Sequence, residues 1–259
     1  MWVRGKRVTR LSRLVAAGET FSMAVEAKAA DLADPTILFE DEWLLALDKP
    51  AGLPSQGTLA SAEANAIAWA QRHVGREVFS VHRLDAGTTG VMIVAKGPGA
   101  ATTLAAAFRE GTVAKRYLAI GSGRLASSGS IDAPLRRSPT PGRWQVAASG
   151  GLPARTDYEL LGSAGSTLFI SAEPQTGRTH QIRVHFAHAG APLLGDRRYR
   201  GPTSVQLPAG GSFVAQRAML HASRLRVAHP GTGAPLEIVA PLPADFRELV
   251  SAFGWPDPT

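Results

Sequence analysis

The stretch "VMIVAK" (91–96) is a continuous apolar run closed by a lysine, with Gly90 before it and Gly97 after it. It is too short for a helix, and its β-branched residues favour an extended chain. A run with no polar alternation has no face to turn toward water, so it predicts a strand buried on both faces. The chain is therefore read around an interior strand.

The neighbouring patterns agree with that frame. "TILFEDEWLLAL" (36–47) reads as two short apolar runs about an acidic turn, the second being a strand. "DKPAGLPSQG" follows as a loop of fixed geometry, because its prolines and glycines punctuate the chain. Residues 61–74 have helical spacing. In "GPGAATTLAAAFREG", Leu104 and Phe108 stand at i, i+4 and Gly111 is a stop signal. "KRYLAI" predicts a strand, and residues 121–153, rich in Gly, Ser and Pro, predict loops with short strands. Alternation returns in "RTDYELL" and in "STLFISAEP", where Leu168, Ile170 and Ala172 share one face. "QTGRTHQIRVHFAHAG" then switches to helical spacing, with Ile182, Phe186 and Ala189 on one side and Gly190 closing it. "RLRVAHPGTGAPLEIVA" is a hairpin around a Pro/Gly turn. Strands joined mostly by hairpins, with a few helices between, predict an α+β fold with a mixed, mostly antiparallel central sheet and flanking helices.

Composition narrows the class. With 259 residues, 44% apolar and 19% charged, the chain has enough apolar content for one large folded domain, with or without a small appendage. No window approaches the roughly 18 apolar residues of a spanning helix, so no membrane association is expected. A formal charge of +7 suits a polyanionic partner, because neutralised phosphates release counterions. Lysine occurs at only five positions, however, and richness in arginine and alanine fits a codon bias equally well. The absence of cysteine excludes disulfides, thiolate metal sites and a cysteine nucleophile. The first acidic residue is Glu19, so the start resembles a basic transit peptide; "VRGKRVT" suits a hairpin in the folded protein better.

Three groups of residues have chemical potential. "GPGAAT" lacks a following acidic partner and contains Pro98, which argues against a dinucleotide loop. His180, His185 and His188 suggest a metal, but Glu173 and Asp196 lie outside the helix and basic residues surround it. His188 therefore reads as a surface or packing residue, and no metal is expected. The third group centres on Asp85 in "HRLDAGTTG", in a glycine-flanked turn where a side chain can approach a substrate closely. A nucleophilic carboxylate must stay ionised, and a bidentate guanidinium such as that of Arg183 favours the charged form. A purely structural ion pair of Asp85 with Arg183 fits the same residues.

"HRLDAGTTGVMIVAK", "KRYLAI" and "TGRTHQIRVHFAHAGAPLLGDRRY" together resemble the RluA-type pseudouridine synthases, as do "LDKPAGLPSQG" upstream and "MLHASRLRVAHPGTGAPLEIVAPLP" downstream. The resemblance spans roughly residues 36–247. It implies a sheet crossed by a catalytic cleft and conversion of selected uridines in structured ribosomal or transfer RNA to pseudouridine, without cofactor or metal. Asp85 matches the family's essential aspartate, Tyr117 its active-site tyrosine and Arg183 the arginine paired with the aspartate. Lys49, His82, Arg83, Arg178 and His180 are expected to contact RNA, with Arg83 a candidate to fill the gap left by a flipped base. Residues 1–35 resemble only the last part of an S4 domain, ahead of a catalytic domain at 36–259. A cytoplasmic monomer with no obligate protein partner is expected. The alternative is a non-catalytic RNA-binding protein on the same scaffold.

Overall fold

The computed structural model describes residues 32–57 and 63–258, together with three two-residue strands before them. These are β1 (Trp2–Val3), β2 (Lys6–Arg7) and β3 (Phe21–Ser22), paired antiparallel in the order β2-β1-β3. The pairing of β1 with β2 is the hairpin expected at "VRGKRVT".

The following elements are β4 (Thr36–Glu40), β5 (Leu44–Lys49), α1 (Ala66–Val74), β6 (Phe79–Ser80), β7 (Thr89–Ala95), α2 (Pro98–Glu110) and β8 (Ala114–Ser122). Next come β9 (Ser128–Asp132), β10 (Leu135–Arg137), β11 (Trp144–Val146), β12 (Arg155–Ala164), β13 (Thr167–Pro174) and α3 (Gln181–His188). The chain ends with β14 (Ser204–Gln206), β15 (Ser212–Val214), β16 (Leu220–Ala228), β17 (Pro235–Val239) and α4 (Ala244–Ala252).

Ten strands form one sheet, in the order β4-β5-β7-β16-β8-β13-β12-β9, with β6 paired to β7 and β17 to β16. Every pairing in it is antiparallel except β7 with β16, which meet in parallel at Thr89↔His221 and Gly90↔Ala222. This junction fuses two antiparallel halves. Gly90 permits it: φ is +104°, and a Cβ there would stand 2.2 Å from the Ala222 carbonyl oxygen.

All seven residues of β7 are buried, as the apolar run predicted. Val91, Ile93 and Ala95 pack with Leu104 of α2 on one face, and Met92 and Val94 with Ala66 and Ala70 of α1 on the other. Leu168, Ile170 and Ala172 share a cluster with Ile182, Phe186 and Ala189, while Phe169 between them joins Phe246 of α4 across the sheet. Each such fully buried Leu, Ile or Phe contributes about 1.5–3 kcal/mol.

The helix expected at 61–74 starts later, at Ala66, because the Asn65 side chain accepts from the Ala68 N–H at 2.9 Å and caps it there. Gly111 ends α2 in the left-handed region, as expected. Helix α4 and the β14–β15 ribbon were not anticipated from the sequence.

Candidate active site

The loop between β6 and β7 carries Asp85, and four anchors hold it. Ser55 Oγ donates to the Leu84 carbonyl (2.7 Å) and accepts from the Leu84 N–H (2.9 Å). The Ala86 carbonyl accepts from the Gly52 N–H (2.8 Å) and from Lys49 Nζ (3.1 Å). Arg217 Nη1 donates to the Gly87 carbonyl (3.1 Å) while its Nε and Nη2 grip Asp245. Finally, the turn closes on itself through Thr88 N–H to Asp85 O, 3.0 Å.

Asp85 meets Arg183 of α3: Nη1 donates to Oδ2 at 2.7 Å. The contact is single, and the bidentate partner of Arg183 is a different residue. Asp196 accepts from Nε at 2.7 Å and from Nη2 at 2.8 Å, its side chain only 1% exposed. Asp196 Oδ1 also accepts from the Arg198 and Tyr199 N–H groups, capping the short turn Arg197–Tyr199. Burial works against the charge on Arg183, but its bonds to Asp196 and then Asp85 outweigh it and hold its pKa above the ordinary arginine value. The Tyr199 ring lies 5.1 Å from the same guanidinium.

His180, at φ +57°, turns its ring between Asp85 and Tyr199. The Trp144 N–H donates to the Tyr199 hydroxyl (3.0 Å), and that hydroxyl stands 2.7 Å from His180 Nδ1. The hydroxyl is thus bonded on both sides and holds the His180 ring in place. Nε2 is 3.7 Å from Asp85 Oδ1. Burial lowers the His180 pKa, with the nearby Asp85 charge opposing that.

Asp85, Tyr117, His180 and Arg183 line a cleft of about 620 Å³, with Arg83, Lys115 and Arg178 at its sides. Burial, and then the Asp85 charge, push the Tyr117 phenol upward, so it stays protonated at neutral pH.

The other expected RNA contacts divide. Arg83 is exposed in the cleft wall, and Arg178 lines the cleft while its Nε donates to the Pro153 carbonyl at 3.0 Å. Lys49 is placed differently from the expectation. It is fully buried, with Nζ donating to the carbonyls of Pro50, Leu53 and Ala86 at 2.9, 2.8 and 3.1 Å. Burial pushes its pKa down to about 7, with Arg217 adding to the fall. Three carbonyl acceptors nevertheless call for all three ammonium protons. The side chain ties the Asp85 loop to the end of β5 and has no surface to offer RNA.

His82 likewise holds the loop. Its Nε2 accepts from the Ile93 N–H at 2.9 Å, continuing the ladder where β6 leaves β7, and its ring stacks on Phe108 at 4.6 Å. Burial lowers its pKa to about 3. One edge of His82 still contributes to the cleft wall. Gly87 has no positive φ, and a Cβ there would make only an ordinary 3.8 Å contact with Arg217. Gly90 makes room for β16, so neither glycine is explained by the approach of a substrate.

Asp196, Tyr199, Arg217 and Ser55 were missed as parts of the site, although Asp196 and Tyr199 stand within the quoted "GDRRY". His185 is closed to a metal role: it is fully buried, with Nδ1 bonded to Thr156 Oγ1 (2.9 Å) and Nε2 to the Ala133 carbonyl (3.0 Å). His188 is exposed. Among the described residues no helix is long and apolar enough to cross a membrane.

Comparison with known proteins places this geometry. A ribosomal large subunit pseudouridine synthase D from Haemophilus ducreyi is 34% identical over 96% of this chain and 82% of its own length. A tRNA pseudouridine synthase C from Salmonella typhi is 35% identical over 85% of this chain and 90% of its own. Among solved structures, human RNA pseudouridylate synthase domain containing 4 superposes with a TM-score of 0.68 at 26% identity, covering 86% of this chain and 94% of that one. The family model described as RNA pseudouridylate synthase matches residues 43–188, from the start of β5 to the last residue of the helix bearing Arg183. The chain belongs to the RNA pseudouridylate synthase family.

Proposed function

We propose that this pseudouridine synthase isomerises uridine in structured ribosomal or transfer RNA with Asp85 as the catalytic carboxylate. The observation that carries the proposal is the Asp85–Arg183 contact in a cleft that also presents Tyr117. Arg183 occupies Oδ2 and leaves Oδ1, beside His180, as the reacting oxygen.

A uridine inside a stem must leave the stack, at a cost of about a few kcal/mol. An aromatic face such as that of Tyr117 returns on the order of 1–3 kcal/mol. The N1–C1′ bond then breaks, the uracil turns, and a C5–C1′ bond forms. C5 loses a proton and N1 gains one, so the step needs no oxidant or reductant. Asp85 serves either by attack at C1′ or by assisting elimination to a glycal, and the protonated Tyr117 phenol is the adjacent proton-transfer group.

The substrate classes are taken from the names of the relatives, which are ribosomal large subunit and tRNA synthases. The reading includes a cytoplasmic monomer working without metal or cofactor, and an N-terminal segment (1–35) that resembles the last part of an S4 domain. No observation favours the binding-only alternative.

The test is Asp85→Asn assayed by tritium release from large-subunit ribosomal RNA labelled with [5-³H]uridine. The expected result is a loss of at least about 10³-fold with RNA affinity nearly unchanged. Full activity in the variant would refute the assignment.

A further inference from the structure

A second basic site opens where the cleft leaves the sheet. Pairing of β8 with β13 stops at Tyr117↔Ala172. Beyond that point residues 114–116 continue beside β16 alone, and the separated strand ends enclose a groove of about 360 Å³. Gly111, Lys115, Pro174 and Gln175 line both this groove and the catalytic cleft, so the two are continuous.

Four cations line the groove: Lys115, Arg116, Arg224 and Arg226. Arg116 and Arg224 are direct cross-strand partners, and Arg226 lies two residues along β16 from Arg224, on the same face. Like charges placed opposite one another destabilise a sheet, by roughly 0.2–1 kcal/mol. The compensation is incomplete. Glu237 bonds both Arg224 (3.5 Å) and Arg226, and Glu173 is the other carboxylate at the groove. Four cations against two carboxylates leave an excess of two positive charges.

The Arg116 Nε donates to Ser171 Oγ at 2.8 Å, which fixes the plane of its guanidinium. The groove wall contains no aromatic ring, so it offers bases nothing to stack on. Its chemistry suits a phosphodiester chain.

We propose that this groove binds the phosphate backbone of the RNA segment leaving the catalytic cleft, with Arg116 and Arg226 contacting phosphates. The proposal rests on the pseudouridine synthase reading for the direction from which the strand arrives. It accounts for the two opposed arginines as a cost to sheet stability that RNA binding offsets. The contact is independent of sequence and acts on nucleotides beyond the target.

The experiment uses the full chain with Arg116→Gln, Arg226→Gln and the double variant. Binding is measured on a 20-residue oligouridine and a uridine trinucleotide across a salt series, and turnover on tritiated large-subunit ribosomal RNA. The expected result for the double variant is about tenfold weaker binding of the 20-mer, unchanged binding of the trinucleotide, and a slope of log K against log salt reduced by about 1.4. KM on ribosomal RNA rises with kcat unchanged. Glu237→Gln, which releases both arginines of β16, moves 20-mer affinity in the opposite direction.

An unchanged salt slope in the double variant overturns the proposal. So does a fall in kcat accompanied by a lowered Tm, which would make these arginines structural. Wild-type protein that binds the 20-mer with this salt dependence but releases no tritium removes the activity reading and leaves the groove standing. Wild-type protein that does both, with a double variant identical to it, removes the groove alone.

Discussion

Arg183 is shared unequally between two carboxylates: Asp196 takes Nε and Nη2, and Asp85 takes only Nη1. The buried aspartate fixes the plane of the guanidinium, and the single bond from Nη1 fixes Asp85. This is a division of labour between an orienting acid and the proposed reacting one. It makes Asp196, which does not itself line the cleft, a determinant of the Asp85 position through Arg183.

Asp196→Asn should therefore cost both stability and rate. Removing one partner of a buried pair leaves a charge uncompensated, typically about 3–5 kcal/mol. Asn keeps one acceptor, which places the expected loss at the lower end. Turnover on tritiated ribosomal RNA should fall about 10²-fold, since Asp85 loses its fixed orientation. Thermal denaturation and single-turnover rates check both, and a wild-type rate in a folded variant would contradict the arrangement.

Tyr199→Phe removes the hydroxyl that joins the Trp144 N–H to His180 Nδ1. His180 then loses the bond that holds its Nδ1. Folding should change little, kcat should fall about tenfold, and KM should stay within about twofold. With Nδ1 free to take a proton, the acid-side fall of kcat should move to higher pH. A pH–rate profile superimposable on wild type would remove the Tyr199–His180 bond from the mechanism.

Lys49→Met tests the reassignment of a residue expected to contact RNA. The Pro50 and Leu53 carbonyls lose the ammonium donor while Ala86 keeps the Gly52 N–H, at a cost of about 1–3 kcal/mol. Tm and kcat should fall together while the salt slope of RNA binding is unchanged. A phosphate-contacting lysine would instead lower that slope by about 0.7.

The buried histidines set an acid limit to stability. Burial lowers the pKa of His82 to about 3 and of His221 to about 4, from an ordinary value of 6.5. As pH falls below 6.5 the unfolded chain takes up protons that the folded chain refuses, so stability present above 6.5 is lost below it. By pH 5 the fully buried His221 costs about 2 kcal/mol, and His82, partly open to the cleft, adds less. Tm should be markedly lower at pH 5 than at pH 8, and a flat profile would show that these rings titrate normally in the folded protein.

Much of the fold could be read because it is locally encoded. Side chains alternate along a strand and recur every 3.6 residues on a helix, so Val91–Ala95, the Leu168/Ile170/Ala172 face and the Ile182/Phe186/Ala189 face announce their geometry wherever they sit. Helix α4 escaped notice although Phe246, Leu249 and Val250 have the right spacing. Of the site, Asp85, Tyr117 and Arg183 were legible as residue types within motifs.

Their partnerships were not legible in the same way. Asp85 and Arg183 are 98 positions apart, and only the order of strands in the sheet, with α3 returning after β13, brings them to 2.7 Å. The same folding gave the bidentate grip to Asp196, took Lys49 out of solvent, and made Gly90 a seat for the β16 backbone. The sequence by itself determined which segments are strands and helices, and which faces they bury, because the local backbone sets side-chain direction. Which charge meets which, and which cation is buried or free to meet a phosphate, was decided by the tertiary structure, because those distances depend on sheet order and helix placement.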